Sequence, residues 1–278
     1  MAELLKLKGI EVVSVSRSNS RVLGDVSDYA FVDEVIKTHQ PAFIFHFAAN
    51  SSARHDVLFD NHNAISTGTM NILECARQHA PTAKIFLSGS ALQFKNVNLP
   101  IDEQTPFAAS SAYSVSRIHS VYAGRYFRDT FAMKVYVGYF FNHDSPLRTE
   151  KHVNQKITAA VNRIAGGSHE KLELGNIDVR KEFNFAGDIV EAVWTLMSQD
   201  KVFEAVIGSG SAHTIQEWVD YCFTKIGKKW QDHVVMNRSF VAEYGTLVCH
   251  PALLKSLGWQ PKVSFAGLAD MMMAGHKP

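Results

Sequence analysis

The chain has 278 residues, with 28 Lys+Arg against 27 Asp+Glu and a formal net charge of +1, a length suited to one or two domains. Its 46% apolar content is enough for a core and excludes a disordered chain, while the even charge gives no electrostatic footprint for nucleic acid. No apolar run approaches a membrane span, the start Met1–Lys8 is too short and charged for a secretory signal, and Cys75, Cys222 and Cys249 show no metal spacing, so a cytoplasmic protein with reduced thiols and no metal is expected.

In chain order, Gly9–Ser16 is rich in β-branched residues and reads as a strand. Gly24-Asp25-Val26-Ser27-Asp28 follows and precedes a helix. Asp25 is placed either to accept from an adenine amino group or, with Ser27, to cap that helix. Ala42–Ala48 is a continuous apolar run, as in a parallel strand buried on both faces. The Ala48-Ala49 pair at its end either lets a flat ligand approach the backbone or fits a tight turn.

A helix is predicted over Ala64–His79, and Lys84–Ser88 repeats the strand pattern, leading into Ser88-Gly89-Ser90-Ala91. A further helix over Ala112–Thr130 places Tyr113 and Arg117 four apart on one face. A fixed cation stabilises a phenolate, so the pair can exchange a proton with a sugar hydroxyl or keto oxygen, with a nearby Ser hydroxyl as a second donor. An amphipathic helix with a half-buried Tyr and a solvated Arg carries the same pattern. Lys134–Gly138 is the next strand. Beyond residue 143 short strands (Lys171–Leu174, Glu204–Ile207) alternate with helices (Ala186–Ser198, Ile215–Ile226). The expected fold is α/β. A Rossmann-like parallel sheet forms a dinucleotide-binding domain over residues 1–143. A smaller substrate-binding lobe over 144–278 interleaves with the end of the sheet.

The order of these motifs, continued by Phe141-Asn142-His143-Asp144-Ser145-Pro146 and Leu174-Gly175-Asn176-Ile177-Asp178, resembles the extended short-chain dehydrogenase/reductases. The likeness is greatest to the GDP-mannose 4,6-dehydratase branch and runs over essentially the whole chain. It implies an NAD(P)-dependent enzyme that modifies a nucleotide sugar, with a GDP-linked sugar as partner. Asp25 and Val26 would lie against adenine, Ala48 and Ala49 would line the cofactor cleft, and Arg17 would hold a ribose phosphate, favouring NADP over NAD. Ser90, Tyr113 and Arg117 take the places of the catalytic Ser/Thr, Tyr and Lys. Asn142 would contact the sugar nucleotide, and Lys156 and Arg238 its phosphates. The resemblance also implies a homodimer, with Ala64–His79 and Ala112–Thr130 packing on their symmetry mates.

Four departures accompany these matches. No Gly-x-x-Gly-x-x-Gly loop occurs, so the first strand and the loop that meets the pyrophosphate are expected to be missing, and NAD(P) binding to be weak or absent. Leu92 stands where the dehydratases carry a Glu, Arg117 where they carry Lys, and Phe94-Lys95 where Tyr-Gly is usual. Leu92 cannot transfer a proton, which favours a 4-keto reductase or epimerase over 4,6-dehydration. A catalytically inactive protein that binds a sugar nucleotide, and a structural subunit using the fold for packing, remain as alternatives.

Overall fold

The computed structural model describes residues 1–50, 52–237, 239 and 242–275. Its centre is a parallel four-stranded sheet of β3 (Phe43–His46), β4 (Lys84–Ser90), β5 (Lys134–Phe140) and β10 (Glu204–Ile207), in the order β10-β5-β4-β3. The period-2 rule assigns each face its own core. Ile85 and Leu87 of β4, with Val135 and Val137 of β5, pack under α2 (Tyr29–His39), α4 (Gly68–His79) and α5 (Ala112–Phe131). Phe86 and Tyr136 point to the opposite face, against Ile189, Val193 and Leu196 of α7 (Ala186–Met197). Gly124 lets α5 sit close to the sheet, since a Cβ there would lie 2.9 Å from Leu87 Cδ1.

The strand expected over Gly9–Ser16 is corrected to a two-residue β1 (Val15–Ser16), which pairs in parallel with β2 (Val22–Leu23). This pair is a separate sheet, and β3 is the edge of the four-stranded one. Without a neighbouring strand, residues 11–14 have no ladder to join, which is why the β-branched run stays irregular. The predicted helix over Ala64–His79 is present and starts earlier, at Leu58, running without a break to His79. A wide π-type turn (His62–Thr67) precedes α4. Asp28, rather than Asp25 or Ser27, caps α2 by accepting from the Phe31 amide at 3.2 Å.

A third core, of residues between 157 and 272, lies among α6 (Val153–Ala165), α8 (Ile215–Lys225) and α10 (Phe265–Ala274), with Ile157, Trp218, Phe223 and Leu268 fully buried. Small strand pairs border it. β7 (Leu172–Leu174) pairs with β12 (Val234–Met236), and β8 (Arg180–Glu182) lies between β11 (Ala212–Thr214) and β13 (Thr246–Leu247). β6 (His143–Asp144) continues from β5 and pairs with β9 (Asn184–Phe185), which ties this region to the carboxyl end of the main sheet. The fold is α/β and Rossmann-like, with the carboxyl ends of β4 and β5 opening towards these later elements.

Candidate functional site

A cavity of about 470 Å³ opens at those carboxyl ends, lined by Ser88–Leu92 from β4 and the turn after it, by Tyr113 and Arg117 from α5, and by Phe140–Asp144 from β5 and β6. Local sequence explains each placement. Ser90 leaves β4 in extended conformation and caps the short turn Ala91–Gln93. Its hydroxyl accepts from the Leu92 amide at 3.2 Å, while the Gln93 side chain accepts from the Ser90 amide at 2.8 Å. Ser111 caps α5 reciprocally with Ser114, so Tyr113 sits in the first turn, facing the cavity. Leu92 also lines the cavity, giving it an apolar wall where a proton-transferring carboxylate would have stood.

Arg117 is 4% exposed and does not reach freely into this space. Its Nη1 donates to the Ser88 carbonyl and, at 2.7 Å, to the Ser88 hydroxyl, and its guanidinium carbon lies 5.1 Å from the Tyr113 ring centroid. The arrangement is a cation against a ring face, with one arm of the fork committed to the sheet. The Tyr113 hydroxyl makes no protein hydrogen bond among the described residues.

Asn142 lines the same cavity, its side-chain oxygen accepting from Tyr244 at 3.3 Å. Arg148 and Lys181 add two cations to the wall that the sequence reading did not single out, beside His152, whose imidazole burial pushes below its ordinary value towards the neutral form. Arg148 is paired with Asp144, whose other oxygen accepts from Asn154 at 2.6 Å. Lys181 is 6% exposed, and burial lowers its ammonium from 10.5 to about 8, with Arg148 adding to the fall and Asp144 opposing it. Burial likewise holds His143 low, and its Nδ1 lies 2.9 Å from the Phe141 carbonyl. The only legible hint of Lys181 was a charged run, Arg180-Lys181-Glu182, inside a strand.

A second cavity of about 530 Å³ adjoins the first and shares Val153, Lys181, Glu243 and Tyr244 with it. Lys156 lines it, although its amine also donates to the Glu173 carbonyl at 2.6 Å. The residues expected at the adenosine end of a cofactor line neither of these two cavities. Arg17 is exposed, and Asp25 spends one oxygen on the Ser27 amide and hydroxyl at 2.9 and 2.8 Å, the Ser27 amide being the main cause of its lowered pKa. Val26 packs on the core beside Gly68. Neither Ala48 nor Ala49 lines either cavity, whereas Phe47 and Ala53 line the first. Arg238 lies outside the described residues.

The sequence matches the GDP-mannose 4,6 dehydratase family over residues 2–272. It is 32% identical over 259 residues to GDP-mannose 4,6 dehydratase 1 of Arabidopsis thaliana, covering 90% of this chain and 72% of that one. The chain belongs to the GDP-mannose 4,6 dehydratase family. The human GDP-mannose 4,6 dehydratase is 27% identical over 276 residues, covering 90% of this chain and 74% of that one. Among solved structures, a UDP-glucose 4-epimerase of Thermotoga maritima with UDP-glucose superposes with a TM-score of 0.87 at 18% identity, covering 98% of this chain and 93% of that one. RMD from Pseudomonas aeruginosa, complexed with NADPH, gives 0.81 at 19%, covering 90% and 84%. The GDP-mannose 4,6 dehydratase family thus shares its fold with other nucleotide-sugar-modifying dehydrogenase/reductases, with NAD or NADPH bound in several of the solved neighbours. No described helix is long and apolar enough to cross a membrane.

Tested against these residues, a nicotinamide dinucleotide fits in part. The end beside Ser90, Tyr113 and Arg117 is a walled cavity of suitable chemistry, with an uncommitted phenol. The expected adenosine contacts at Arg17, Asp25 and Val26 line neither cavity.

Proposed function

We propose that this chain binds a nucleotide sugar, of the GDP-linked class, across the two adjoining cavities and that Tyr113 exchanges a proton with a sugar oxygen in a 4-keto reduction or epimerisation. The observation that carries this reading is the grouping of Ser90, Tyr113 and Arg117 on one cavity whose wall adds Arg148 and Lys181. A wall carrying Arg148 and Lys181 beside a phenol suits an anionic diphosphate carrying a sugar. A nicotinamide, when bound, supplies or removes hydride. The chain's own residues would do the rest. The Ser90 hydroxyl, already accepting from the Leu92 amide, keeps its proton free to donate to the sugar oxygen. Tyr113 gives or takes the proton at that oxygen, and Arg117 stabilises the phenolate left behind. Leu92 excludes water and offers no group for eliminating it, which argues against 4,6-dehydration.

The decisive experiment assays the chain with NADPH or NADH and GDP-4-keto sugars, beside Tyr113→Phe. Turnover by the wild type that the variant lacks supports the reading. Equal turnover by both removes Tyr113 from it. The absence of a Gly-x-x-Gly-x-x-Gly loop to meet the pyrophosphate leads to an expected dissociation constant for NAD(P) weaker than low micromolar, and calorimetry giving a tighter value would contradict that expectation.

A second reading is favoured by Leu92 together with the commitment of Arg117 to Ser88. In it the chain binds a sugar nucleotide without turning it over. Thermal stabilisation by GDP-mannose with no turnover under any cofactor would select this reading.

A further inference from the structure

Where β5 gives way to β6, the cavity wall carries a half-buried titratable group that the reading above leaves unused. His143 follows Phe140, Phe141 and Asn142 along that wall. Its ring packs edge-on against Phe140, with centroids 5.4 Å apart and planes at 69°. Phe140 is in turn the ladder partner of Ser90, one strand spacing of about 4.8 Å away. The imidazole therefore stands on the same stretch of wall as the end of β4.

Its single proton is fixed from two sides. Burial is the main cause that keeps the imidazole below its ordinary value, with the Phe141 carbonyl and Asp144 opposing and Arg148 adding to the fall. At neutral pH the ring is uncharged and carries one N–H. That N–H is on Nδ1, because the Phe141 carbonyl 2.9 Å away can only accept. Nε2 keeps a bare lone pair. It makes no hydrogen bond among the described residues, and it is not sealed into the packing as His46 Nε2 is. Such a lone pair repels a phosphate oxygen, which has no proton to give, and accepts from a hydroxyl. Polarity thus matches His143 to the sugar half of a nucleotide sugar, whereas Arg148 and Lys181 on the same cavity match the diphosphate.

We propose that His143 is a specificity-determining residue, whose Nε2 accepts a hydrogen bond from one free hydroxyl of the bound hexose. The inference deepens the nucleotide-sugar reading above and rests on it for the ligand. A hexose with that hydroxyl removed or alkylated leaves the lone pair facing a group that cannot donate. A site built to bond a hydroxyl rejects the analogue that lacks it, because its own polar group is then stranded. The cavity therefore selects against sugars deoxygenated or capped at that position.

The test is calorimetry of the whole chain, without cofactor, against GDP, GDP-mannose and analogues in which fluorine replaces one mannose hydroxyl at a time. Fluorine nearly keeps the size but donates nothing. The wild type should bind one of these analogues about tenfold more weakly than GDP-mannose. Two variants separate the two ring nitrogens. His143→Asn keeps an N–H near the place of Nδ1 for the Phe141 carbonyl and has nothing at the place of Nε2. It should bind GDP-mannose about tenfold more weakly, no longer discriminate against that analogue, and bind GDP as the wild type does. His143→Gln brings an amide oxygen to the place of Nε2 and should recover most of the discrimination. A histidine that only supports the backbone predicts the reverse order, with Asn harmless and Gln damaging, and that result would overturn the proposal. So would a wild type that binds every analogue alike, or an equal loss of GDP and GDP-mannose affinity in His143→Asn. Should His143→Asn fold poorly, His143→Phe, which keeps a ring on Phe140, takes its place with the same expectations. A wild type that binds neither GDP nor GDP-mannose removes the nucleotide-sugar reading and this inference with it, whereas binding without discrimination removes this inference alone.

Discussion

At the scale of single residues, the chemistry rests on buried charges whose partners are distant in sequence. Lys181 is the clearest instance. Its ammonium, lowered to about 8 by burial, is charged below that pH and neutral above it. An anionic ligand binds the charged form better, so affinity for GDP-mannose should fall as pH rises through about 8. Calorimetry across that range should show the fall in the wild type and not in Lys181→Arg, which stays charged. A parallel fall in both would take Lys181 out of the binding site.

Glu204 shows the opposite shift. Burial alone would raise its carboxyl, but bonds from Arg125, Tyr139 and Arg128 bring it from 4.5 down to about 2. A depressed carboxylate stabilises the fold above its unfolded value and loses that contribution as it is protonated. Stability should therefore decline from about pH 4.5 towards about pH 2. Glu204→Gln should lose this slope and cost about 3 kcal/mol near neutral pH, since it leaves two arginines facing a broken pair. Urea denaturation at several pH values checks both. None of this was legible in the sequence, where Glu204 opens an ordinary apolar strand and Lys181 sits in a charged run. Tyr113 and Arg117 were legible because helical spacing alone brings them to one face, whereas Ser88 and Lys181 reach the same cavity only through strand pairing and packing.

Elements were readable where their partners were local. The apolar stripe of α5 and the twofold alternation of β4 and β5 follow from sequence because one helix face and two sheet faces are buried. The run Gly9–Ser16 failed for the converse reason. A strand exists only beside another, and just Val15 and Ser16 find one. The same logic separates β3 from β4, two strands of similar composition. β4 is bonded on both sides and β3 on one, so amides of Ile44–His46 should exchange with solvent deuterium much faster than those of Ile85–Leu87. Equal protection of the two would mean that β3 has a second partner in solution.

For the whole molecule, the outer faces of α4 and α5 carry a set of exposed apolar side chains. Met70, Val115, Tyr122 and Tyr126 are all exposed, at 40%, 52%, 57% and 56%. Isolated exposed apolar residues need no explanation, but four on adjoining helices form a patch that association would cover. A dimer through these helices is expected at micromolar concentration, and Tyr122→Glu with Tyr126→Glu should shift it to the monomer. A monomeric mass for the unaltered chain in light scattering would reject it. The departures Leu92 and Arg117 were visible in the sequence. The bonds that hold Arg117 to Ser88 were not, because they join a helix to a strand 29 residues away in sequence.

The division between the β1–β2 pair and the main sheet also bears on how the protein comes apart. Among the described residues no ladder bond crosses from one to the other, so the first segment holds to the rest through side chains: Met1 on the α7 core, Lys8 over the Trp194 ring, Val26, whose carbonyl accepts from Asn71, and Val32 and Ile36 of α2 beside Ile72 and Ala76 of α4. Cooperativity is carried by shared contacts, and here it passes through side-chain packing rather than a continuous backbone lattice. The β1–β2 pair, which those contacts leave out, can therefore loosen while the cavity and Tyr113 stay assembled. Loss of the N-terminal pair and loss of the Tyr113 site would then be two events, met in that order as denaturant rises.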